Sequence, residues 1–251
     1  MPKSLNHTAA CEHLSRVDRQ MARHIARTGP CRLQQETTQS IFDALLEAIV
    51  YQQLNGKVAA TIMSRVKALF PENTKRIRTR RGLVDGFPTP EQITAASEEL
   101  LRSAGLSRAK MLAIRDLAAK TLDGTVPTVR QAHRMSDEEL IERLDTVRGI
   151  GRWTVEMLLI FRLARPDVLP VDDYGVRKGF ANLRKLAELP KPKELAAYGE
   201  RWSPHRSVAS WYLWRAADTK ALPMAGAAKK PAVGKKAAKK PVAAKPAVRG
   251  R

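Results

Sequence analysis

Apolar side chains recur at spacings of three and four along most of the chain, which is the periodicity of an amphipathic α-helix. Three such stripes are Ile41, Leu45, Ala48 and Ile49; Val58, Ile62, Val66 and Leu69; and Met111, Ile114, Leu117 and Ala118, in a helix expected to end near Gly124. A last helix, beginning after Ser203-Pro204, is predicted to carry Val208, Trp211, Tyr212 and Arg215. Alternating runs are absent, and so is the strand–helix–strand order of a Rossmann or barrel enzyme. The pattern therefore predicts an all-α body.

Helix-capping residues mark two further helix starts. The segment Thr89–Gln92 combines an N-cap hydroxyl, a first-turn proline and a capping-box amide, which predicts a helix running through Ala104. Ser136 and Glu139 form a second capping box. Both positions are therefore expected to begin helices.

Charge is strongly positive and unevenly placed. Forty-five basic residues against 25 acidic ones give a formal net charge of +20, which makes nucleic acid the leading candidate partner. Residues 225–251 hold nine basic side chains and no acidic one among alanine, proline, valine and glycine, a composition that predicts a disordered tail. Such a tail would serve either as an electrostatic tether to nucleic acid or only as a solubilising segment.

Cysteine content and hydropathy exclude several classes of protein. The two cysteines, Cys11 and Cys31, are too few for a Cys-ligated zinc site or an iron–sulfur cluster. No apolar run approaches the roughly 20 residues that span a bilayer, and the charged N-terminal segment is not expected to act as a secretory signal. We therefore expect a cytoplasmic protein that has no contact with membranes.

The segment Leu144–Thr154 predicts two helices joined by a glycine hairpin. Gly149 and Gly151 can adopt positive φ and allow another backbone to approach, while the second helix presents unpaired N–H groups to an anion. An ordinary turn between helices would carry no function. In a basic chain, however, the arrangement favours binding to DNA phosphates.

Two adjacent carboxylates, Asp172 and Asp173, follow the hairpin by about 20 residues and stand at the predicted start of another helix. Both acids could merely cap that helix and complement its dipole. Alternatively, the helix terminus holds one ionised carboxylate pointing outward, where it stabilises a positive sugar centre or activates a water molecule.

Four segments together form a recognisable pattern. They are Gln52-Gln53-Leu54, Gly149–Thr154, Pro170–Gly175, and Trp202 with Arg206 and Ser207. Over roughly residues 33–217 the chain resembles the 3-methyladenine DNA glycosylase II family, the AlkA-like branch of the helix-hairpin-helix glycosylase superfamily. The resemblance implies two all-α lobes, about 40–165 and 1–39 plus 166–224, with a DNA-binding cleft between them.

Catalytic roles follow from the same resemblance. It makes Asp173 the catalytic carboxylate and gives Asp172 the task of supporting the loop. Trp214 and Trp153 would line the pocket for a flipped base, although either ring could belong to the core. Trp153 also occupies the position of the nucleophilic lysine in related glycosylase/lyases, so we expect hydrolysis without strand cleavage.

DNA contacts and a cation site are also implied. Gln53 would fill the gap left by the extruded base, with Leu54 beside it, and the residues Gly149, Gly151 and Thr154 would bind the DNA backbone. The main-chain carbonyls of Asp145, Val147 and Gly149 would hold a structural Na⁺ or K⁺, and no other cofactor is required. Met157 and His205 stand where the family can carry aromatic residues, which leaves the preferred damaged base open.

These observations predict a monomeric, monofunctional DNA glycosylase that acts on alkylated purines in double-stranded DNA, on the nucleoid if the source is bacterial. Two alternatives use only part of the pattern. A non-catalytic helix-hairpin-helix protein would need no Asp173, and a tail-driven DNA-compacting protein would need no globular body with four tryptophans.

Overall fold

Helices make up most of the chain described by the computed structural model, namely residues 6–34, 40–73, 77–79, 82–84 and 86–218. They are α1 (His7–Val17), α2 (Arg19–Thr28), α3 (Ile41–Tyr51), α4 (Gly56–Ala68), α5 (Pro90–Ala95), α6 (Glu98–Ser103), α7 (Arg108–Leu122), α8 (Val129–Ala132), α9 (Asp137–Asp145), α10 (Arg152–Phe161), α11 (Tyr174–Arg184), α12 (Pro192–Gly199) and α13 (Arg206–Asp218), with 3₁₀ turns at Pro71–Asn73 and Glu200–Trp202. The predicted all-α fold is confirmed. Its one small exception is the antiparallel pair β1 (Ile77–Thr79) and β2 (Gly82–Val84), in which Ile77 lies opposite Val84.

Both predicted capping boxes are present. The Thr89 hydroxyl accepts the Gln92 N–H at 3.3 Å while the Gln92 side chain accepts the Thr89 N–H at 2.8 Å. Ser136 and Glu139 make the same reciprocal pair at 3.2 and 2.6 Å. Each box satisfies donors that a helix N-terminus otherwise leaves unpaired.

The prediction that one helix runs from residue 90 through Ala104 is wrong. Helix α5 ends at Ala95, the backbone of Ala96 is extended with ψ of 142°, and the Ser97 hydroxyl caps α6 by accepting the Leu100 N–H at 3.1 Å. A serine side chain competes well for helix N–H groups, so Ser97 starts a new helix in another direction.

Helix α4 forms where its apolar stripe predicts, but Val58, at one end of that stripe, is not buried. Val58 is 43% exposed, whereas Ala59, Met63 and Val66 are buried. Ile62 and Leu69 also pack against the core, so the predicted stripe holds except at Val58, which lies beside the loop that precedes the helix.

The most extensive helix contacts fall into two sets. Helices α1, α2, α11, α12 and α13 pack against one another, and helices α3, α4, α5, α6 and α7 pack together with α9 and α10. One hydrophobic cluster runs through both sets, and the described residues up to Asp218 belong to one compact unit. The lobe boundaries expected from the resemblance stay a prediction.

Asp18 joins the N-terminal helices to the later ones. It is 3% exposed, and its Oδ1 accepts the N–H groups of Gln20 and Met21 at 3.0 Å each, which caps α2. Its Oδ2 accepts hydrogen bonds from Arg184 at 2.7 Å and from the Trp202 indole at 3.0 Å. A single buried carboxylate thereby fixes three segments that are distant in sequence.

The predicted basic tail, residues 225–251, lies outside the described residues. Among the residues that are described, none of the helices is both long and apolar enough to cross a lipid bilayer.

Candidate active site

The loop Pro170–Asp173 ends in the carboxylate that begins α11. The Asp173 N–H donates to the Pro170 carbonyl at 3.1 Å, and Asp173 Oδ1 accepts the Val176 N–H at 2.7 Å. Asp173 is thus the N-cap of α11, at the positive end of the helix dipole. It is half-buried, whereas Asp172 is exposed to solvent.

Two tryptophan side chains hold the Asp173 carboxylate from opposite parts of the fold. The Trp153 indole on α10 donates to Oδ2 at 2.9 Å, and the Trp214 indole on α13 donates to Oδ1 at 2.8 Å. Within the described part of the chain, no lysine or arginine forms an ion pair with Asp173. Neutral donors therefore fix the orientation of the carboxylate without neutralising its charge.

The two oxygens of the Asp173 carboxylate differ in the number of lone pairs that their hydrogen bonds leave available. An ionised carboxylate oxygen has about two lone pairs, and both on Oδ1 are used, by Val176 and Trp214. Oδ2 accepts one bond, from Trp153. Oδ2 is therefore the oxygen with remaining capacity toward a substrate or a water molecule.

Gly175 is required for this arrangement. A Cβ atom at that position would lie 2.8 Å from Trp214 Cδ1 and 3.1 Å from Asp173 Oδ1. Both distances are shorter than ordinary van der Waals contact, so a side chain would push the indole away from the carboxylate. The glycine is part of the Pro170–Gly175 motif, and the structure supplies its reason.

A cavity of about 800 Å³ adjoins Trp153 and is lined chiefly by α3 and α10. Its wall includes Met157, Phe161 and Thr154, and Trp153 itself is 49% exposed. Trp214 is not among the lining residues; its ring stacks on Phe161 with centroids 5.6 Å apart. Trp153 therefore faces the cavity directly, and Trp214 packs behind one of the residues that line it.

The other family-derived positions are also located. Thr154 is buried, and its N–H donates to the Gly151 carbonyl at 2.8 Å. Its side chain is thus placed on the cavity wall. His205 lies edge-on against His13, with ring centroids 5.2 Å apart, and does not line the cavity.

The wedge loop, residues Gln52–Asn55, joins α3 to α4. Gln53 adopts φ of +57°, a left-handed conformation that costs a non-glycine residue about 1–3 kcal/mol. Gln53 is exposed and Leu54 is 38% exposed. Gln52 and Gln53 also line the cavity. Both predicted wedge side chains thus lie at the surface of a strained loop, beside the cavity.

The hairpin, residues Thr146–Gly151, joins α9 to α10. Gly149 has a φ of +78°, which a residue without a Cβ atom adopts easily, whereas Gly151 has an ordinary φ of −114°. Gly151 is the N-cap of α10 and supplies no side-chain partner for the first turn. The helix N-terminus therefore keeps free N–H groups that suit a phosphate oxygen.

Hairpin carbonyls are the candidate ligands for a monovalent cation. The Val147 carbonyl accepts the Ile150 N–H at 3.0 Å, and the Gly149 carbonyl accepts the Gln52 side-chain amide at 2.9 Å. Each of these two oxygens keeps a second lone pair for a further ligand, and the Na⁺ or K⁺ site formed by them and the Asp145 carbonyl stays a prediction. A cation held there would add positive charge beside the N-terminus of α10.

A buried carboxylate near the site escaped sequence reasoning. Glu156 is 5% exposed, and burial raises its pKa to about 7, although Arg152 lies 3.3 Å away and opposes that shift. The charge of Asp172 contributes to the rise. The sequence does hold a signal for a buried carboxylate, because Glu156 is the one acidic residue in the apolar helix α10.

An ion pair on the cavity wall also escaped prediction. Glu47 on α3 and Arg162, just after α10, approach to 2.5 Å, and both line the cavity. Neither residue belongs to a motif of the resemblance. Only the packing of α3 against α10 brings them together.

Comparison with known proteins identifies the family of this chain. Residues 46–205 match the family described as HhH-GPD superfamily base excision DNA repair protein. DNA-3-methyladenine glycosylase 1 of Schizosaccharomyces pombe is 37% identical over 83% of this chain and 86% of that protein.

Solved structures show the same fold. The S. pombe 3-methyladenine DNA glycosylase in complex with abasic DNA superposes with a TM-score of 0.68 at 38% identity, covering 82% of this chain and 95% of that one. A DNA-3-methyladenine glycosidase from Bacillus halodurans gives a TM-score of 0.71 at 30% identity, covering 87% of this chain and 92% of that one.

Proposed function

Because this chain belongs to the HhH-GPD superfamily of base excision DNA repair proteins, we propose that it is a monofunctional DNA glycosylase. It hydrolyses the N-glycosidic bond of alkylated purines, of the 3-methyladenine and 7-methylguanine class, and leaves an abasic site. The single observation that carries this proposal is the Asp173 carboxylate, which two indoles and a helix N-terminus orient and which pairs with no lysine or arginine of the described residues.

Alkylated purines suit such a minimal site. Methylation at N3 or N7 gives the base a positive charge, so the base leaves as a neutral molecule and needs little acid assistance. The cavity beside Trp153 offers an electron-rich indole and an apolar wall, which favour a flat, cationic ring. Selectivity then follows from charge and stacking rather than from reading the base edges.

The reaction proceeds in two events at C1′. The C1′–N9 bond breaks and its electron pair leaves with the purine, which loses its positive charge. The sugar becomes oxocarbenium-like, and the negative charge of Asp173 stabilises it. Water then adds to C1′ and releases a proton, for which Asp173 Oδ2 has a lone pair available.

The same contacts argue against lyase chemistry. A glycosylase/lyase needs an amine that attacks C1′, but the side chain that contacts Asp173 Oδ2 is the Trp153 indole, which has no nucleophilic lone pair. We therefore expect DNA strands to break only after alkali treatment. Borohydride trapping of a covalent protein–DNA adduct would contradict this part of the proposal.

The proposed partner is double-stranded DNA that contains an alkylated base, bound by a monomer on the chromosome. Excess positive charge attracts the backbone, and the N–H groups of α10 bind one phosphate. The wedge residues Gln53 and Leu54 fill the gap that base extrusion leaves in the stack.

Base release from methylated duplex DNA tests the proposal. Chromatography of the soluble fraction should detect free 3-methyladenine and 7-methylguanine in the presence of the protein, and alkali should reveal one strand break for each released base. A non-catalytic helix-hairpin-helix protein would retain the DNA and release nothing above the spontaneous rate. That outcome would overturn the enzymatic assignment.

A further inference from the structure

Helix α7 carries side chains that reach both DNA-facing loops. We propose that Lys110 on α7 and Gln52 in the wedge loop are positioning residues, which lock the wedge loop to the hairpin. Binding of the hairpin to a phosphate would then already place Gln53 and Leu54 at the base step. This inference rests on the proposed function, because it assumes that these two residues act as the wedge.

Lys110 holds the end of α3 from beneath the wedge loop. Its ammonium donates to the carbonyls of Val50 and Gln52 at 2.6 and 2.8 Å. Those carbonyls lie at the C-terminus of a helix, where a cation is favourable. The Lys110 side chain is partly buried, and burial lowers the pKa of its ammonium.

Gln52 makes the direct connection between the two loops. Its side-chain amide donates to the Gly149 carbonyl at 2.9 Å, across 97 positions of sequence. The same residue thus gives its main-chain carbonyl to Lys110 and its side chain to the hairpin. The adjoining residue, Gln53, has the strained φ of +57°, a conformation that persists where its surroundings fix it.

Helix α7 also holds the hairpin directly. Asp116 accepts the Arg148 N–H at 2.7 Å and pairs with Lys120 at 2.9 Å. The Lys120 ammonium also donates to the Thr146 carbonyl. Since Lys110 and Asp116 lie about 9 Å apart along the helix axis, α7 sets the spacing between the two loops.

A locked wedge loop should matter only when a base must be extruded from a paired stack. Extrusion of a paired base costs a few kcal/mol. A mobile loop must be ordered when it inserts its side chains, so it offsets less of that cost than a loop that is already fixed. A base that is already unpaired needs little help from the wedge. The ratio of excision rates on paired and unpaired lesions therefore separates loop positioning from general damage to the fold.

The test compares Lys110→Met with the wild-type protein under single-turnover conditions at saturating protein. One substrate carries the lesion in a fully paired duplex, and the other carries it in an unpaired bubble. We expect the variant to be about tenfold slower on the duplex, or about 1.4 kcal/mol, and less than twofold slower on the bubble. Lys110→Arg, which keeps the cation and its donors, should recover most of the duplex rate.

Two further variants keep the test decisive. Gln52→Leu removes the connection through a side chain in the loop, and it keeps the test available even if Lys110→Met folds poorly. Because Gln52 also lines the cavity, this variant is judged by the ratio of its duplex rate to its bubble rate, which should fall as it does for Lys110→Met. Arg108→Met removes an exposed cation two residues earlier on the same helix and is the matched control for charge. It should keep the duplex rate. The proposal would be overturned if the variants slowed excision equally on both substrates. It would also be overturned if neither Lys110→Met nor Gln52→Leu slowed excision from the duplex.

A binding measurement separates failure of this inference from failure of the proposed function. A 2-aminopurine placed beside an abasic-site analogue gains fluorescence when a wedge unstacks it, and no excision is needed. We expect wild-type protein to raise this signal and Lys110→Met to raise it less at equal saturation. If wild-type protein releases no base but the two proteins still differ in fluorescence, the proposed function fails and the loop positioning stands. Equal fluorescence from both would overturn the loop positioning whatever the wild-type excision rate.

Discussion

Asp18 and Asp173 use the same chemistry in two regions of the molecule. Each aspartate is the N-cap of a helix and accepts a hydrogen bond from a tryptophan indole. Asp18 is 3% exposed and also forms an ion pair with Arg184 at 2.7 Å. Asp173 is half-buried, and its hydrogen-bond donors among the described residues are all neutral.

The difference teaches what turns a helix cap into a reactive group. A buried charge with a cation partner is bound to the fold, because removing either member leaves the other without compensation. A carboxylate that neutral donors hold at the surface keeps its full negative charge, which can stabilise positive charge on a bound substrate. Asp18 should therefore govern stability and Asp173 reactivity, and the four predictions below test that division.

The largest effect is expected for Asp18→Asn. The amide would still cap α2, but it would leave the Arg184 guanidinium, only 19% exposed, without its anion. We expect a loss of about 3–5 kcal/mol in the free energy of unfolding, measured by denaturant titration. The excision rate per folded molecule should stay within about threefold of wild type. Full stability of the variant would break the comparison.

Asp173→Asn should give the reverse result. Asparagine caps helices about as well as aspartate, so the melting temperature should barely change. The neutral amide cannot stabilise a sugar cation, and single-turnover excision should fall by about 10²–10³-fold, with binding to abasic-site DNA retained. Near wild-type excision would refute the catalytic assignment.

Asp172→Asn is the matched control for this variant. Asp172 is exposed and adjoins Asp173 in sequence, so its substitution should slow excision much less. A reversed ranking of the two variants would identify Asp172 as the reactive acid.

Sequence patterns predicted the helices better than their breaks. Stripes and capping boxes located α3, α4, α7, α9 and α13, because both signals are local. The break at Ala96 was missed although Ser97 is followed by two glutamates, which is itself a helix-start pattern. No glycine or proline separates the Pro90 start from Ser97, so the local pattern is also compatible with one continuous helix.

The site residues also differ in whether a local sequence pattern could predict them. The glycine hairpin and the acid pair are contiguous motifs, and the sequence alone indicated their chemistry. The contacts of Asp173 with Trp153 and Trp214 join positions 20 and 41 residues away, and no local pattern determines such pairings. Lys110 had no signal at all, because its role depends on where α3 ends in space.

Glu156 offers an intermediate case between the two aspartates. It is buried like Asp18 and has one cation partner, Arg152, but caps no helix. Burial raises its pKa to about 7, whereas an unfolded glutamate titrates near about 4.3. Between these values the native state holds a proton that the unfolded state has lost, so the free energy of unfolding should fall as pH rises through this window.

Glu156→Gln tests that reasoning. The variant should match wild type near pH 4 and be more stable by about 1–3 kcal/mol at pH 8, because its side chain never ionises. Denaturant titrations across this range measure the difference. Parallel pH profiles for the two proteins would show that Glu156 is compensated in the fold as fully as Asp18.

The smallest effect, and the sharpest comparison, comes from exchanging one indole at each aspartate. Trp214→Phe removes a donor from Asp173 Oδ1, and Trp202→Phe removes one from Asp18 Oδ2. A hydrogen bond to a charged group contributes about 1.5–3 kcal/mol when buried and less when water can replace it. We therefore expect Trp214→Phe to slow excision only about three- to tenfold, with a small change in melting temperature.

Trp202→Phe should lower stability instead and leave the excision rate of the folded protein unchanged. Trp202 is fully buried, so its substitution also leaves a cavity, and the hydrogen-bond contribution must be isolated by a double-mutant cycle with Asp18→Asn. The cycle should give a coupling energy in the free energy of unfolding. The corresponding cycle of Trp214→Phe with Asp173→Asn should give coupling in the activation free energy of excision. If both cycles couple only in stability, the neutral donors around Asp173 are no more than a second structural cap, and the distinction between the two aspartates fails.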